Sequence, residues 1–346
     1  MAITHAGKLV GLKAFGNFVF ESDTRLLLRR GATSGNSKVA VSTLFDLASV
    51  TKVLATTTMA AILYERGLLE LEAPIAGIVP EFLHDSAKDP RRVHVTFRMI
   101  LAHSSGLPAY EKLFLRAHTR DELLQAAFTT SLTAEPGSRA EYSDIGFIIL
   151  GVALERLAGE TLEGFCQREI FGPLGMVNTT FNPPLEMRAK IPPTANDQTF
   201  RHRIIQGEEQ DENASVLGGV AGHAGLFATA EDVARFAHAM ITGGSPILRP
   251  ETIHTFTRRE SMPDGTSRGL GWDTPSHPSQ SGTCFSVRSF GHLGYTGTSL
   301  WIDADRQISI TLLTNRTWPD CTNQAIKQVR PRFHDAVMHA LLDREP

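Results

Sequence analysis

The sequence predicts an α+β fold of the sandwich type. An antiparallel sheet flanked by helices is built from both termini, and a mainly helical domain is inserted between them. Two observations predict it: segments with strand character occur near both ends of the chain, and helical patterns fill the middle. We expect residues 1–67 and 235–346 to form the sheet domain and residues 68–234 the helical domain. Their interface is where we expect the functional pocket.

The predicted strands are short and bounded by turn residues. Near the N-terminus they lie at Leu9–Leu12, Phe18–Phe20 and Leu26–Leu28. Near the C-terminus, Gln307–Leu312 alternates with a period of two, and Ser299–Asp303 precedes it across a turn. These two C-terminal segments are expected to form a strand pair.

One helix is predicted to be buried. The segment from Ser49 to Arg66 is apolar nearly all round, and Gly67 stands where a helix C-terminus is expected. Further helices are predicted over 95–102, 120–128, 143–157, 161–171 and 230–241, the last capped by Thr229. Ordered loops are predicted over 182–194 and 218–225. Pro331 is expected to begin a terminal helix, whose apolar face includes Phe333, Val337, Ala340 and Leu341.

The composition is that of an ordinary globular protein. The 346 residues are 42% hydrophobic and 21% charged, with a net charge of −3, which gives no reason to expect nucleic acid or an anionic membrane as a partner. No run of about 18 apolar residues predicts a membrane span. The first residues lack the pattern of an export signal, so a cytoplasmic protein is expected.

The cysteines give no sign of a disulfide or a metal site. Cys166, Cys284 and Cys321 are far apart, and none belongs to a Cys-x-x-Cys pair. We expect three small, buried side chains, with no disulfide and no structural metal.

Ser49-Val50-Thr51-Lys52 is the first segment that could carry chemistry. Serine and the lysine three positions later lie on one face of a helix. The serine would stand at the helix N-terminus, where free amides and the helix dipole favour a developing alkoxide. An enclosed lysine would have a lowered pKa, and its neutral amine could accept the serine proton. The alternative is an ordinary helix cap beside a lysine that reaches solvent, which the apolar surroundings disfavour.

Two further segments follow along the chain. Tyr142-Ser143-Asp144 precedes an apolar helix, so the tyrosine hydroxyl could exchange protons with the serine–lysine pair. Gly291-His292-Leu293-Gly294 precedes the C-terminal strands; its glycines would admit a substrate backbone, and a free strand edge would offer amides to an oxyanion. Taken alone, these segments could equally be a core tyrosine and a flexible approach to a hairpin.

Together, in this order and at these separations, the three segments resemble the family of class C β-lactamases, serine D,D-peptidases and family VIII carboxylesterases. The resemblance covers roughly residues 40–316. It includes the further segments Phe45–Lys52, Ile100–Pro108, Gly218–Phe227 and Gly297–Asp303. It implies a β-lactamase/transpeptidase-like fold and an enzyme that needs no cofactor.

The resemblance also implies a role for each matching residue. Ser49 would be the acylated nucleophile, and Lys52 would share its proton. Tyr142 would relay a proton to the leaving group and activate the deacylating water. The backbone amides of Ser49 and Tyr295 would form the oxyanion hole.

The chain departs from the family pattern at three substrate-binding positions, Asp144, His292 and Leu293. A fourth substrate-binding position, Gly294, matches the family pattern. Asparagine is common where Asp144 stands, so the aspartate should raise the pKa of the lysine and shift more of the base role to Tyr142. Lysine and threonine usually stand in place of His292 and Leu293 and help to bind a substrate carboxylate. Histidine is mostly neutral at pH 7 and leucine has no hydroxyl, so these changes favour neutral esters.

Other polar segments are expected to be structural. Gly265–Gly269 satisfies the Gly-x-Ser-x-Gly pattern, but it lacks the preceding strand and following helix of a nucleophile elbow, so Ser267 is predicted to lie in a loop. His103 is expected to brace a loop. His223 could line the pocket or be structural. Asp211-Glu212-Asn213 resembles a loop of relatives, and no metal ligands can be identified around it.

The function expected from the sequence is that of a carboxylesterase that acts on small, neutral esters through an acyl-enzyme on Ser49. The substrate partner would be a small-molecule ester or amide. The alternative within the same fold is a β-lactamase or a D-alanyl-D-alanine carboxypeptidase or D-aminopeptidase. A non-catalytic sensor of the same fold is the alternative of another class.

Overall fold

A five-stranded antiparallel sheet joins the two ends of the chain. The computed structural model describes residues 1–20, 37–84 and 88–342. The sheet has the strand order β2-β1-β10-β9-β8, and its strands are β1 (Ala2–His5), β2 (Lys8–Leu12), β8 (Phe290–Leu293), β9 (Ser299–Asp303) and β10 (Ile308–Leu312). The N-terminal β1 pairs with β10, with Ala2 opposite Thr311. The expected α+β architecture and the C-terminal strand pair are therefore confirmed.

Helices and short strands occupy the chain between β2 and β8, and one further helix follows β10. The helices are α1 (Thr58–Glu65), α2 (Phe97–Leu101), α3 (Arg120–Phe128), α4 (Asp144–Ala158), α5 (Leu162–Cys166), α6 (Leu185–Arg188), α7 (Glu212–Val216), α8 (Ala230–Ile241), α9 (Pro250–Thr257) and the C-terminal α10 (Ile326–Leu342). The remaining strands are β3 (Phe45–Asp46), β4 (Thr180–Phe181), β5 (Pro193–Asn196), β6 (Ile204–Gln206) and β7 (Leu226–Ala228). β3 and β4 both pair with β7, and β5 pairs with β6. The division into two domains at 67/68 and 234/235 stays a prediction.

The predicted buried helix is present, but its pitch changes along its length. A 3₁₀ turn over Ala48–Val50 leads into a π-helical segment, Lys52–Thr57, and then into α1. Every side chain of the π-helical segment is buried. Gly67 follows with φ +68°, a left-handed conformation that glycine adopts without steric cost and that ends the helix.

The terminal helix begins five residues earlier than predicted. α10 starts at Ile326, so Pro331 lies inside the helix and does not open it. Proline has no N–H to donate to the carbonyl of Lys327, four residues back. The side-chain amide of Gln280 donates to that carbonyl instead, at 3.1 Å. The helix thus continues through the proline because a side chain from another segment replaces the missing donor.

The N-terminal strand predictions are partly wrong. Leu9–Leu12 lies in β2, as expected, but Phe18–Phe20 forms no ladder; Phe18 and Val19 instead pack against Trp318. Leu26–Leu28 lies outside the described residues. The predicted loop over 182–194 contains the short α6 and the first residues of β5.

The cysteines and helices bear on two further expectations. Cys166 is buried, whereas Cys284 and Cys321 are half-buried, so the expectation of three buried thiols holds for only one of them. All three are free thiols.

None of the helices in the described ranges combines the length and the apolarity needed to cross a membrane.

Candidate active site

Ser49 lies where the chain leaves β3 and enters the buried helical segment. The residue before it, Ala48, has φ +47°, a left-handed conformation that is unfavourable for a residue with a Cβ. Such backbone strain is concentrated at functional sites. Ser49 itself is half-buried and lines a cavity, whereas Ala48 and Val50 are buried. The turn therefore presents the serine hydroxyl to the cavity while anchoring its neighbours in the core.

Lys52 is fully buried beside Ser49. Its Nζ donates to Ser49 Oγ at 3.2 Å, to Asp144 Oδ1 at 2.6 Å and to the backbone carbonyl of His223 at 3.0 Å. Burial is the largest influence on the Lys52 pKa and lowers it from its usual value, while the Asp144 carboxylate acts in the opposite direction. A lowered pKa increases the fraction of Lys52 in the neutral amine form, and this is the form that can accept the serine proton.

Tyr142 covers the other side of the lysine. Lys52 Nζ lies 4.8 Å from the centre of the Tyr142 ring. The Tyr142 hydroxyl is buried, and it forms no hydrogen bond of ordinary geometry within the described part of the chain. Ser49 and Asp144 are close enough to influence its pKa. Burial and then the Asp144 charge raise the pKa of Tyr142 well above its usual value, so the phenol stays protonated. The expectation that Asp144 shifts the base role to Tyr142 therefore meets an opposing effect, since the same carboxylate also disfavours the phenolate.

Two neutral histidines flank the tyrosine. The His103 ring lies 4.7 Å from the Tyr142 ring between centroids, and its Nδ1 accepts a hydrogen bond from the Ser143 amide at 3.0 Å. This contact fixes the start of α4, as expected of a bracing residue. His292, on β8, donates from Nδ1 to the Leu293 carbonyl at 2.8 Å. Burial lowers the pKa of both histidines well below the usual value, so both are neutral.

The backbone amides of Ser49 and Tyr295 are free to bind an oxyanion. Within the described ranges, neither N–H donates a hydrogen bond. Gly294 lets the end of β8 approach the serine turn, because a Cβ there would overlap the Leu47 carbonyl oxygen and the Thr298 hydroxyl. The Thr298 hydroxyl donates to that same carbonyl at 3.0 Å, which holds the two segments together.

A cavity of about 720 Å³ collects these residues. Of the predicted site residues, it is lined by Ser49, Tyr142, Asp144, His292, Leu293, Gly294 and Tyr295, while Lys52 is enclosed behind Ser49. The structure therefore brings all the predicted residues to one place. Their catalytic and binding roles stay predictions.

The cavity also has charged residues that the sequence analysis missed. Arg316, Lys327 and Arg330 line it, and the described chain places no carboxylate within 4.0 Å of any of them. Arg268 lines it as well, 3.7 Å from Asp273 Oδ1. These cations have no motif or fixed spacing. The sequence offers one indirect signal, since the predicted loop Gly265–Gly269 contains Arg268.

Asp211 and His223 support the lysine from behind. His223 is buried, and its Nε2 lies 2.8 Å from Asp211 Oδ1, while its carbonyl oxygen accepts from Lys52. Asp211 also caps α7 and lines the cavity. No three His, Cys, Asp or Glu side chains in the described chain are grouped to hold a metal ion.

Ser267 lies in a loop, as predicted. Its hydroxyl donates to Asp273 Oδ1 at 2.9 Å, and neither a strand nor a helix flanks it directly. It is also absent from the residues that line the cavity around Ser49.

Comparison with known proteins identifies the family. The sequence description of the family named Beta-lactamase matches residues 1–329. The chain belongs to the beta-lactamase family. A protein of Escherichia coli strain K12, named "Putative D-alanyl-D-alanine carboxypeptidase", is 32% identical over 308 residues, which make up 81% of this chain and 70% of that protein.

Two solved structures show that the beta-lactamase-family fold extends over nearly the whole chain. The octameric penicillin-binding protein homologue from Pyrococcus abyssi has a TM-score of 0.71 and 20% identity, covering 98% of this chain and 71% of that one. EstCE1, described as a hydrolase with promiscuous acyltransferase activity, has a TM-score of 0.70 and 21% identity, covering 95% and 92% of the two chains. This beta-lactamase-family member is therefore a serine hydrolase by family.

Proposed function

We propose that this chain forms an acyl-enzyme on Ser49 and prefers substrates whose leaving group carries a carboxylate, as in a D-alanyl-D-alanine carboxypeptidase. One observation carries the proposal. Three cations without carboxylate partners in the described chain, Arg316, Lys327 and Arg330, line the cavity that contains Ser49. The name of the Escherichia coli relative agrees with it.

Arg330 is the most telling of the three cations. Its side chain is only 4% exposed, and it donates to two neutral oxygens, Gln280 Oε1 and the Thr298 carbonyl, each at 3.2 Å. Burial and then the nearby Arg316 lower its pKa to about 10, which leaves it charged at neutral pH. A buried charge without a counter-ion is costly. A substrate carboxylate would supply that counter-ion.

The proposed acylation begins at Ser49. Its Oγ attacks the substrate carbonyl carbon while the hydroxyl proton passes to neutral Lys52. The resulting oxyanion accepts hydrogen bonds from the Ser49 and Tyr295 amides. The carbon–nitrogen bond then breaks as Tyr142 gives its proton to the leaving amine and is reprotonated by Lys52. Water attacks the acyl-enzyme by the reverse proton route, which releases the acid and restores the serine hydroxyl.

The sequence-based preference for neutral esters depended mainly on His292 and Leu293. Those residues do lack the charge and the hydroxyl that usually bind a carboxylate, but the cavity gains cations from the segment after β10 and from α10. We therefore place the carboxypeptidase first. Hydrolysis of short esters is the second candidate, because the neutral His292 and the apolar Leu293 still form part of the cavity wall.

A paired assay on the wild type and Ser49→Ala tests the proposal. The substrates are an N-acylated peptide ending in D-alanyl-D-alanine, the same peptide as its C-terminal methyl ester, p-nitrophenyl butyrate and nitrocefin. We expect release of D-alanine from the free-acid peptide with the highest kcat/KM, and no turnover by Ser49→Ala. Turnover of p-nitrophenyl butyrate without any peptide cleavage would instead establish the esterase. Activity that survives in Ser49→Ala would refute the acyl-enzyme itself, and a wild type inert to all four substrates and to a fluorophosphonate probe would identify a non-catalytic sensor.

A further inference from the structure

Asp46 is a buried carboxylate that lies outside the catalytic group. It is the last residue of β3, three positions before Ser49, and is 2% exposed. Its Oδ1 accepts from the Ala48 amide at 2.8 Å, and its Oδ2 accepts from the Gln210 amide at 2.6 Å. The two oxygens of one carboxylate therefore hold two separate segments of the chain.

The first segment is the strained turn before the nucleophile. Ala48 needs φ +47° for Ser49 to reach the cavity, and the hydrogen bond from its amide to Asp46 favours that conformation over the ordinary one. Without the acceptor, the Ala48 amide would be buried and unpaired.

The second segment supports the lysine. Gln210 is followed by Asp211, which bonds to His223, whose carbonyl oxygen accepts from Lys52 at 3.0 Å. A third contact reaches the oxyanion hole, because the Asp46 carbonyl oxygen accepts from the Thr296 hydroxyl at 2.7 Å and Thr296 follows Tyr295.

We propose that Asp46 is a positioning residue: its carboxylate holds the nucleophile turn and the support of Lys52 together, and its backbone carbonyl holds the oxyanion turn against them. The inference rests on the proposed nucleophilic role of Ser49. Asp46 does not face the cavity, so it acts through its neighbours and not on the substrate.

The surroundings of Asp46 make this arrangement sensitive to pH. Burial raises the Asp46 pKa to about 6, and the nearby Asp211 charge adds to the increase, while the two amides and Arg201 act against it. Glu209, also buried, has a pKa raised to about 7 by its own burial and by Asp46. Protonation of Asp46 makes one of its oxygens a hydroxyl, which is a much weaker acceptor than a carboxylate oxygen, so the hold on one of the two segments is weakened.

Asp46→Asn tests this directly, because its amide nitrogen must face one of the two backbone N–H groups. We expect kcat on an activated ester to fall about 10²-fold, the effect of a displacement of about 1 Å, with KM nearly unchanged. The pH profile of the wild type should include a protonation near pH 6 that abolishes activity, and Asp46→Asn should lack it. Glu209→Gln should retain that protonation.

Two more variants keep the test independent of folding. Asp232→Asn is the matched control: Asp232 is also 2% exposed and accepts from the Asn178 amide and the Thr179 hydroxyl, away from the cavity. It should leave kcat and the pH profile unchanged. Thr296→Val removes the third contact but leaves the carboxylate intact, so kcat should fall while the protonation near pH 6 persists.

The outcomes separate this inference from the proposed function. If Ser49→Ala is inactive but Asp46→Asn keeps the wild-type kcat, or keeps the protonation near pH 6, the positioning role is refuted and the acyl-enzyme stands. If Asp46→Asn does not fold, Thr296→Val and the wild-type profile decide: an unchanged kcat in the former or a missing protonation in the latter refutes the role. Activity in Ser49→Ala refutes the proposed function.

Discussion

Replacing Arg330 with glutamine isolates the charge that the proposed substrate preference depends on. Glutamine keeps polar atoms for the Gln280 and Thr298 contacts but removes the buried positive charge. A carboxylate between 4 and 8 Å from a charge of this kind is stabilised by about 2–4 kcal/mol at an effective dielectric constant near 20. The lower figure corresponds to about 30-fold in kcat/KM.

The assay compares one peptide as its free acid and as its C-terminal methyl ester. Arg330→Gln should lower kcat/KM at least about 30-fold for the free acid and leave the methyl ester almost unaffected, because the ester has no charge to lose. Arg330→Lys should retain most of the preference. Arg332→Gln, at an exposed position of the same helix and outside the cavity, serves as the matched control. An equal loss on both substrates would show that Arg330 is structural and would refute this explanation of the preference.

Three further predictions concern other parts of the molecule. Gly294→Ala should abolish activity, since the added Cβ would overlap the Leu47 carbonyl oxygen. Ester turnover and a thermal melt measure the activity and the folding of the variant, and an active, well-folded variant would contradict the prediction. Asp144→Asn is made in the Asp46→Asn background, which lacks the protonation near pH 6 assigned to Asp46. It removes the charge that raises the Lys52 pKa, so the remaining acidic limb of the kcat/KM profile should move to lower pH than in Asp46→Asn alone; an unchanged or higher limb would contradict the assignment of Lys52 as base. Arg92→Met should lower the free energy of unfolding by at least about 3 kcal/mol, because the buried guanidinium donates to three backbone carbonyls. Urea denaturation measures this free energy, and a loss below about 1 kcal/mol would show that water replaces those contacts.

The sequence identified those site residues whose chemistry depends on local spacing. Ser49 and Lys52 lie one helical turn apart, so their contact follows from the helix itself. Tyr142 stands just before a predicted helix, and His292 stands just before the predicted C-terminal strand pair. That His292 itself lies in a strand, β8, was not predicted. The contacts between these segments were supplied by the resemblance to a known family and not by any pattern within this chain.

The cations that line the cavity, Arg316, Lys327 and Arg330, could not be predicted in the same way. Arg316 follows β10 and Arg330 lies in α10, and their convergence on Tyr295 and Thr298 is a product of the tertiary fold. A lone arginine in a sequence is typical of a solvated surface. Asp46 was likewise inconspicuous, because an aspartate at a strand end gives no sign that both of its oxygens are used. The start of α10 was misplaced because the rule for proline is local, whereas Gln280, which makes the proline acceptable, comes from a distant segment.

The π-helical segment Lys52–Thr57 has a consequence for insertions and deletions. A π-helical turn contains one residue more than an α-helical turn and is equivalent to an insertion into an α-helix. Removing one residue from this segment would let the remainder form ordinary α-helical turns, so Lys52 and α1 would keep nearly their present orientation. Removing a second residue would leave no extra residue to absorb the change, and the catalytic end of the helix would rotate relative to its buried remainder by about 100°. Lys52 would then leave Asp144 and the His223 carbonyl, although every residue of the motif would still be present. Alignments of relatives in this region therefore depend on residue count as much as on residue identity, because the segment tolerates the loss of one residue but not of two.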